Sequence, residues 1–191
     1  MEFAHSLVRQ RLKEFVSDKG TLLEIGCGIG QTGLDSVGVD IDRKAVECFP
    51  GTAVVADALH LPFPNNSFDC VVFSAVLHHL KEHERYLCEA VRVSRHYVVA
   101  FEPNLLHPSG MLMNLFNTLK PGITGLDPKE RALSPFYLLS IFRRYLTNVH
   151  YMSASHAWNR LPVKVNQFIS RYDRGLNLFG WFLIIYGEKQ I

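Results

Sequence analysis

The stretch Leu22-Leu23-Glu24-Ile25-Gly26-Cys27-Gly28-Ile29-Gly30 concentrates the residue types best able to meet a ligand. An apolar run feeds alternating glycines, which a chain needs where its backbone approaches a ligand too closely for a Cβ. Two ligand classes compete for such a loop. Gly28, Gly30 and Gly33 satisfy G-x-G-x-x-G, the phosphate-cradling pattern of dinucleotide sites. Gly26-x-Gly28-x-Gly30 with Glu24 two residues ahead suits instead a ligand with a cationic amino-acid tail and no pyrophosphate, namely S-adenosylmethionine.

Two further carboxylates arbitrate. Asp40 ends Val37-Gly38-Val39-Asp40, where it can accept both hydrogen bonds of a ribose diol and would repel a 2′-phosphate. Asp57 follows Val54-Val55-Ala56 and precedes Leu59, Leu61 and Phe63, so it can hold an exocyclic adenine amine beside hydrocarbon walls. Nicotinamide chemistry on Gly28-x-Gly30-x-x-Gly33 is the weaker reading, because an acid before the loop opposes a pyrophosphate.

These groups must be carried by strand ends. Thr21–Ile25, Ser36–Ile41, Thr52–Ala56, Phe68–Ser74 and Tyr97–Phe101 read as strands, several of them continuous Val-rich runs as in a parallel sheet covered on both faces. Residues 2–17 form an amphipathic helix stopped by Lys19-Gly20, and Arg43–Phe49 and Glu82–Val93 supply helical connections. Past Pro103 the spacing predicts a short helix over Met111–Leu119. A second follows over Pro135–Leu146 with Ser134 as its cap, and a third lies near Val163–Tyr172. Asn148–Met152 and Trp181–Glu188 are late strands. The fold class is therefore α/β, a doubly wound single domain over residues 1–191. It divides into an N-terminal helix (1–19), a ligand-binding half (20–102) and an acceptor-side half (103–191) with helical insertions at 104–133 and 153–180.

Composition bounds the rest. With 191 residues, 48% apolar and a net charge of +2, the chain can bury a core unaided and lacks the basic excess of a dedicated nucleic-acid binder. Its apolar runs are too short to span a bilayer, and Met1–His5 lack a secretory leader pattern. Four cysteines lack a C-x-x-C pair, and three of them, in apolar or strand-like stretches, read as reduced, buried thiols in a cytoplasmic protein.

Taken together, Glu24-Ile25-Gly26-Cys27-Gly28-Ile29-Gly30, Gly38-Val39-Asp40, Ala56-Asp57-Ala58 and Phe68–Leu80 resemble the class I, type-11 S-adenosylmethionine-dependent methyltransferases. The resemblance covers about residues 20–102. It implies a Rossmann-like, seven-stranded, mostly parallel sheet with an antiparallel last strand, here Trp181–Glu188. It also implies a cofactor set of Glu24, Gly26, Cys27, Gly28, Gly30, Asp40, Ile41, Asp57, Ala58 and Ser74. Within that set Glu24 would hold the methionine end, Asp40 the ribose, Asp57 and Ala58 the adenine, and Ser74 the methyl-transfer side. One departure stands out. Only Gln31–Val37 separate Gly30 from Gly38, room for about one helical turn where relatives place a full helix.

Catalytic residues are not fixed by spacing. His79 is a candidate base, and Glu102 with Asn104 candidate acceptor contacts. His79-Leu80-Lys81-Glu82-His83 matches H-x-x-E-H, yet a strand exit is the wrong setting for that motif, so no metal is expected. Strand four ends in Phe73-Ser74-Ala75-Val76 and lacks an Asn/Asp-Pro-Pro-aromatic grip on planar nitrogens, which argues against RNA or DNA bases. Fourteen of 22 aromatic residues fall in 101–191, where they serve either the late core or an apolar acceptor pocket. The expected activity is methyl transfer to a small molecule of apolar character. The alternatives are a non-catalytic cofactor-binding module or an RNA or protein methyltransferase.

Overall fold

The computed structural model describes residues 2–119, 132–154, 180 and 182–190. Seven strands form one sheet: β1 (Leu22–Ile25), β2 (Val37–Asp40), β3 (Ala53–Val55), β4 (Phe68–Ser74), β5 (Ser94–Pro103), β6 (Leu146–Ala154) and β7 (Phe182–Lys189). Their order is β3-β2-β1-β4-β5-β7-β6. Pairings among β3, β2, β1, β4 and β5 are parallel, and β7 runs antiparallel to both β5 and β6. Strand order reverses between β1 and β4, so their C-terminal ends flank the crevice where doubly wound sheets bind ligands.

Alternation along β4 assigns its two faces. Cys70 and Val72 join Leu12 and Val16 of α1 (Glu2–Val16), with Val99, Phe101 and Ile184, in one cluster. Val71 and Phe73 face the opposite way. They pack with Leu87 and Ala90 of α3 (His83–Val93) and Leu138 and Phe142 of α5 (Pro135–Tyr145). Cys70, Val71, Val72 and Phe73 are all fully buried, which explains the unbroken apolar run: neither face of this strand meets water.

Several boundaries move. The fifth and sixth strands are longer than their apolar cores because β7 pairs with them over Tyr97–Pro103 and Leu146–Ala154. The helix between β2 and β3, α2 (Arg43–Glu47), is short, and its N-cap is Asp42, whose side chain accepts from the Lys44 N–H. Ser134 precedes α5 but makes no side-chain cap bond. Pro135 at the first turn has no N–H to satisfy, and the Ser134 carbonyl takes the Leu138 N–H at 3.1 Å. The helical turn expected between Gly30 and Gly38 is absent. Two tight turns replace it, closed by Gly30 N–H to the Cys27 carbonyl and Gly33 N–H to the Gly30 carbonyl, and their positive φ angles cannot propagate a right-handed helix.

Two cysteines are buried, not three. Cys27 and Cys70 lie inside, whereas Cys48 caps the end of α2 and Cys88 sits on the outer face of α3. In the acceptor-side half α4 spans Pro108–Leu119. The helix expected near 163–172 lies outside the described residues, as does most of the insertion at 153–180. Among the described residues no helix is long and apolar enough to cross a membrane.

Candidate active site

Gly26 ends β1 with φ 72°, turning the chain away from the sheet. Its amide and that of Cys27 both donate to the Val39 carbonyl, at 2.8 and 3.1 Å. A Cβ built on Gly26 would stand 2.5 Å from Val76, so protein fills the space over this residue. Gly28 is different. It also has positive φ, 51°, yet a Cβ there would meet nothing within 4 Å. The loop is closed against the protein at Gly26 and open at Gly28.

Two cavities share Gly26. The smaller, about 90 Å³, is bounded by Asp40, Ile41, Asp57 and Ala58 together with Tyr86 and Leu80. Asp40 braces the loop, because its Oδ2 accepts from the Gly28 N–H and its Oδ1 from the Asp42 N–H, both at 2.9 Å. Each oxygen keeps a second lone pair for a hydroxyl. Asp57 accepts from the Leu59 N–H at 2.9 Å and stays half exposed. The larger cavity, about 390 Å³, is lined by Gly26, Cys27, Gly28 and Ser74, with Arg9, Thr32, Phe101 and Phe182 among others. The rings of Phe101 and Phe182 stack with centroids 4.7 Å apart, giving it an apolar wall.

Eight of the ten residues expected from sequence thus line one cavity or the other. Glu24 and Gly30 do not. Glu24 is fully buried one layer behind the larger cavity, its carboxylate accepting from Thr32 Oγ1 at 2.7 Å and Ser36 Oγ at 3.2 Å. Burial raises its pKa, and hydrogen bonds from Thr32, Ser74 and Ser36 pull partly back. Thr32 and Ser74 face the cavity, so Glu24 reaches it through their hydroxyls. Gly30 packs under Pro50, where a Cβ would approach to 2.4 Å. The Cys27 thiol, beside both acids, is pushed up to about 12, first by burial and then by Asp40 and Glu24, which makes it inert rather than nucleophilic.

The candidate catalytic groups sit apart from these linings. His79 is exposed at the end of a 3₁₀ turn, Leu77–His79, and lines neither cavity. Glu102 is buried, its carboxylate capping that turn through the N–H groups of Val76 and Leu77 and binding His78 Nδ1 at 2.7 Å. Asn104 is buried as well, donating to the Gly180 carbonyl at 2.8 Å. His83 lies on α3, its ring nitrogens against Tyr137 Oη and the Leu77 carbonyl, so the H-x-x-E-H match is split between two elements.

The sequence reading did not single out Arg9, Thr32, Ala75, Tyr86 or Phe182. Arg9 passes as one more polar residue of an amphipathic helix, and Tyr86 as a residue of α3. Ala75 holds φ 51° at the end of β4, a strained position invisible in an Ala codeword, and its N–H donates to the Phe101 carbonyl at 2.8 Å.

Comparison with known proteins accords with this geometry. Residues 23–99 match the family described as Methyltransferase domain. A curated relative, norajmaline N-methyltransferase of Rauvolfia serpentina, is 27% identical over 131 residues, covering 59% of this chain. The chain spans only 42% of that relative's length. Two solved structures share the fold. An S-adenosylmethionine-dependent methyltransferase from Archaeoglobus fulgidus superposes with TM-score 0.68 at 23% identity, over 97% of this chain and 94% of its own. One from Thermotoga maritima, titled a possible histamine N-methyltransferase, gives 0.77 at 18% identity, over 98% and 90%. Residues 23–99 are thus similar to a methyltransferase domain, and the chain shares its fold with solved S-adenosylmethionine-dependent methyltransferases.

Proposed function

We propose that the protein transfers a methyl group from S-adenosylmethionine to a small molecule of apolar character. The observation that carries this reading is the larger cavity, which joins an open glycine, Gly28, to the stacked wall of Phe101 and Phe182. The residues present fit the cofactor. Asp40 has lone pairs for a ribose diol, Asp57 an acceptor for an adenine amine, and Gly28 a cradle that a Cβ would fill. Once bound, the cofactor supplies an electrophilic methyl on a sulfonium centre.

The chain's own part is alignment. In-line displacement gains most from holding the reacting groups at near-attack distance and from keeping water out. Ser74 and Ala75 at the end of β4 form the floor between the two partners, and Phe101 with Phe182 desolvates one side. Thr32 and Ser74 hydrogen-bond to the Glu24 carboxyl beneath them, which leaves lone pairs on their hydroxyl oxygens to accept from a cation above.

Calorimetric titration with S-adenosylmethionine and S-adenosylhomocysteine, with NAD as control, tests the site on wild type and Asp40→Asn. Micromolar binding of the sulfur ligands, weakened at least tenfold in the variant and absent for NAD, is expected. A labelled-methyl screen should then include apolar amines, phenols, RNA and protein. Transfer to the small molecules supports the reading, transfer only to macromolecules refutes it, and binding without any transfer leaves a cofactor-binding module.

A further inference from the structure

Glu102 is fully buried near the end of β5, one residue after Phe101, which lines the larger cavity. Its two oxygens have separate partners. Oε1 accepts from the Val76 and Leu77 N–H groups at 2.9 and 2.7 Å and so caps the 3₁₀ turn. Oε2 meets His78 Nδ1 at 2.7 Å, with the His78 N–H further off at 3.4 Å. A glutamine could cap the turn through one oxygen just as well. The second oxygen serves the imidazole.

As a carboxylate Glu102 can only accept, so the His78 ring carries its proton on Nδ1 and a lone pair on Nε2. Nε2 has no hydrogen-bond partner among the described residues, and the side chain stays 10% exposed. His83 offers no such lone pair, because its nitrogens are engaged by Tyr137 Oη and the Leu77 carbonyl. The ionisable groups facing the His78 turn are Glu102 from β5, His79 with its ring centroid 4.0 Å away, and His83 with Tyr137 from α3 and α5. The turn follows directly on Ala75 and Val76, which line the larger and the smaller cavity. The Ala75 N–H is bound in turn to the Phe101 carbonyl at 2.8 Å. Backbone on both strands thus fixes the pair at the rim where β4 and β5 end beside the cavities.

We propose that His78, oriented by Glu102, is the general base of the methyl transfer, and that the acceptor is a phenol-class hydroxyl, which must lose a proton to react. The assignment rests on the methyltransferase reading. The hydroxyl oxygen bonds to the methyl carbon, the carbon–sulfur bond breaks with its electron pair going to sulfur, and the hydroxyl proton passes to Nε2. The products are a methyl ether, S-adenosylhomocysteine and an imidazolium beside the Glu102 carboxylate, which returns its proton to water. Glu102 is a positioning residue in this step, since it acts through the ring.

The test uses the full chain and two readouts. Imidazole nitrogen NMR without ligand, with His78→Gln to assign the signal, should place the proton on Nδ1 in wild type. Glu102→Gln should abolish that preference, because the amide turns a donor toward the ring. A proton on Nε2 in wild type overturns the proposal whatever the activity. Turnover is then compared on matched phenols and thiophenols, the latter ionised at neutral pH without help. His78→Gln should lower kcat on the phenols about 10²- to 10⁴-fold, with thiophenol turnover within about threefold and S-adenosylhomocysteine affinity within about twofold. Glu102→Gln should lower kcat on phenols at least about tenfold with KM nearly unchanged. Equal losses on both acceptors would show that the pair only props the turn, and no loss on phenols would also overturn the assignment. Should the variants fail to fold, wild type decides through its tautomer and its acceptors, and transfer to amines or thiols but to no phenol refutes the proposal. Failure of wild type to bind S-adenosylmethionine, or to transfer a methyl group to anything, would instead remove the methyltransferase reading beneath it.

Discussion

Gly26 and Gly28 have the same backbone handedness and opposite surroundings, so they should respond differently to the same substitution. Gly26→Ala combines left-handed strain with a Cβ 2.5 Å from Val76, for a loss of about 2–4 kcal/mol and a lowered melting temperature. Gly28→Ala carries only the strain, about 1–2 kcal/mol, but fills open space at the cavity. It should stay folded by circular dichroism while S-adenosylhomocysteine affinity falls more than tenfold. Glu24 makes a second contrast. Burial raises its pKa above 4.5, so its contribution to stability is full below that pH and is lost as pH rises through the elevated value. Above that elevated value the ionised, buried Glu24 is a cost. Glu24→Gln should raise the apo melting temperature at pH 8, by about 2–4 °C for each kcal/mol relieved, and by less at pH 5. The same change should weaken the cationic S-adenosylmethionine more than neutral-sulfur S-adenosylhomocysteine, read by calorimetry.

At the scale of elements, α1 covers one face of the sheet through Leu12 and Val16, both essentially inaccessible to solvent. Truncating Leu12 to Ala should cost about 2–5 kcal/mol in denaturant unfolding, whereas Gln10→Ala on the exposed side should change little. What the sequence disclosed at this scale follows from locality. The loop and the acids at 24, 40 and 57 sit at strand ends, where residue type, spacing and the preceding apolar run all occur within a few positions. Arg9, Tyr86 and Phe182 reach the cavities only because α1, α3 and β7 fold back from far along the chain, and no local pattern encodes that return. Ser134 as a cap and a helical turn after Gly30 were both reasonable from local preference. Pro135 and the left-handed glycines override them.

For the molecule as a whole, ligand and fold are linked through the crevice between β1 and β4, which draws on the first helix, the central strands and the last strand at once. S-adenosylhomocysteine at a hundredfold excess over its dissociation constant should add about 2.7 kcal/mol, a rise of roughly 5–11 °C in melting temperature. NAD at the same concentration should leave the curve unchanged. The insertion of β7 between β5 and β6 also sets a schedule for synthesis. β5 is finished at Pro103, but the strand that hydrogen-bonds its outer edge ends at Lys189. At about 5–20 residues per second a ribosome needs on the order of ten seconds to bridge that interval. Throughout it, the nascent chain presents an unpaired Tyr97–Phe101 edge, the segment from which chaperone capture or premature self-association would begin.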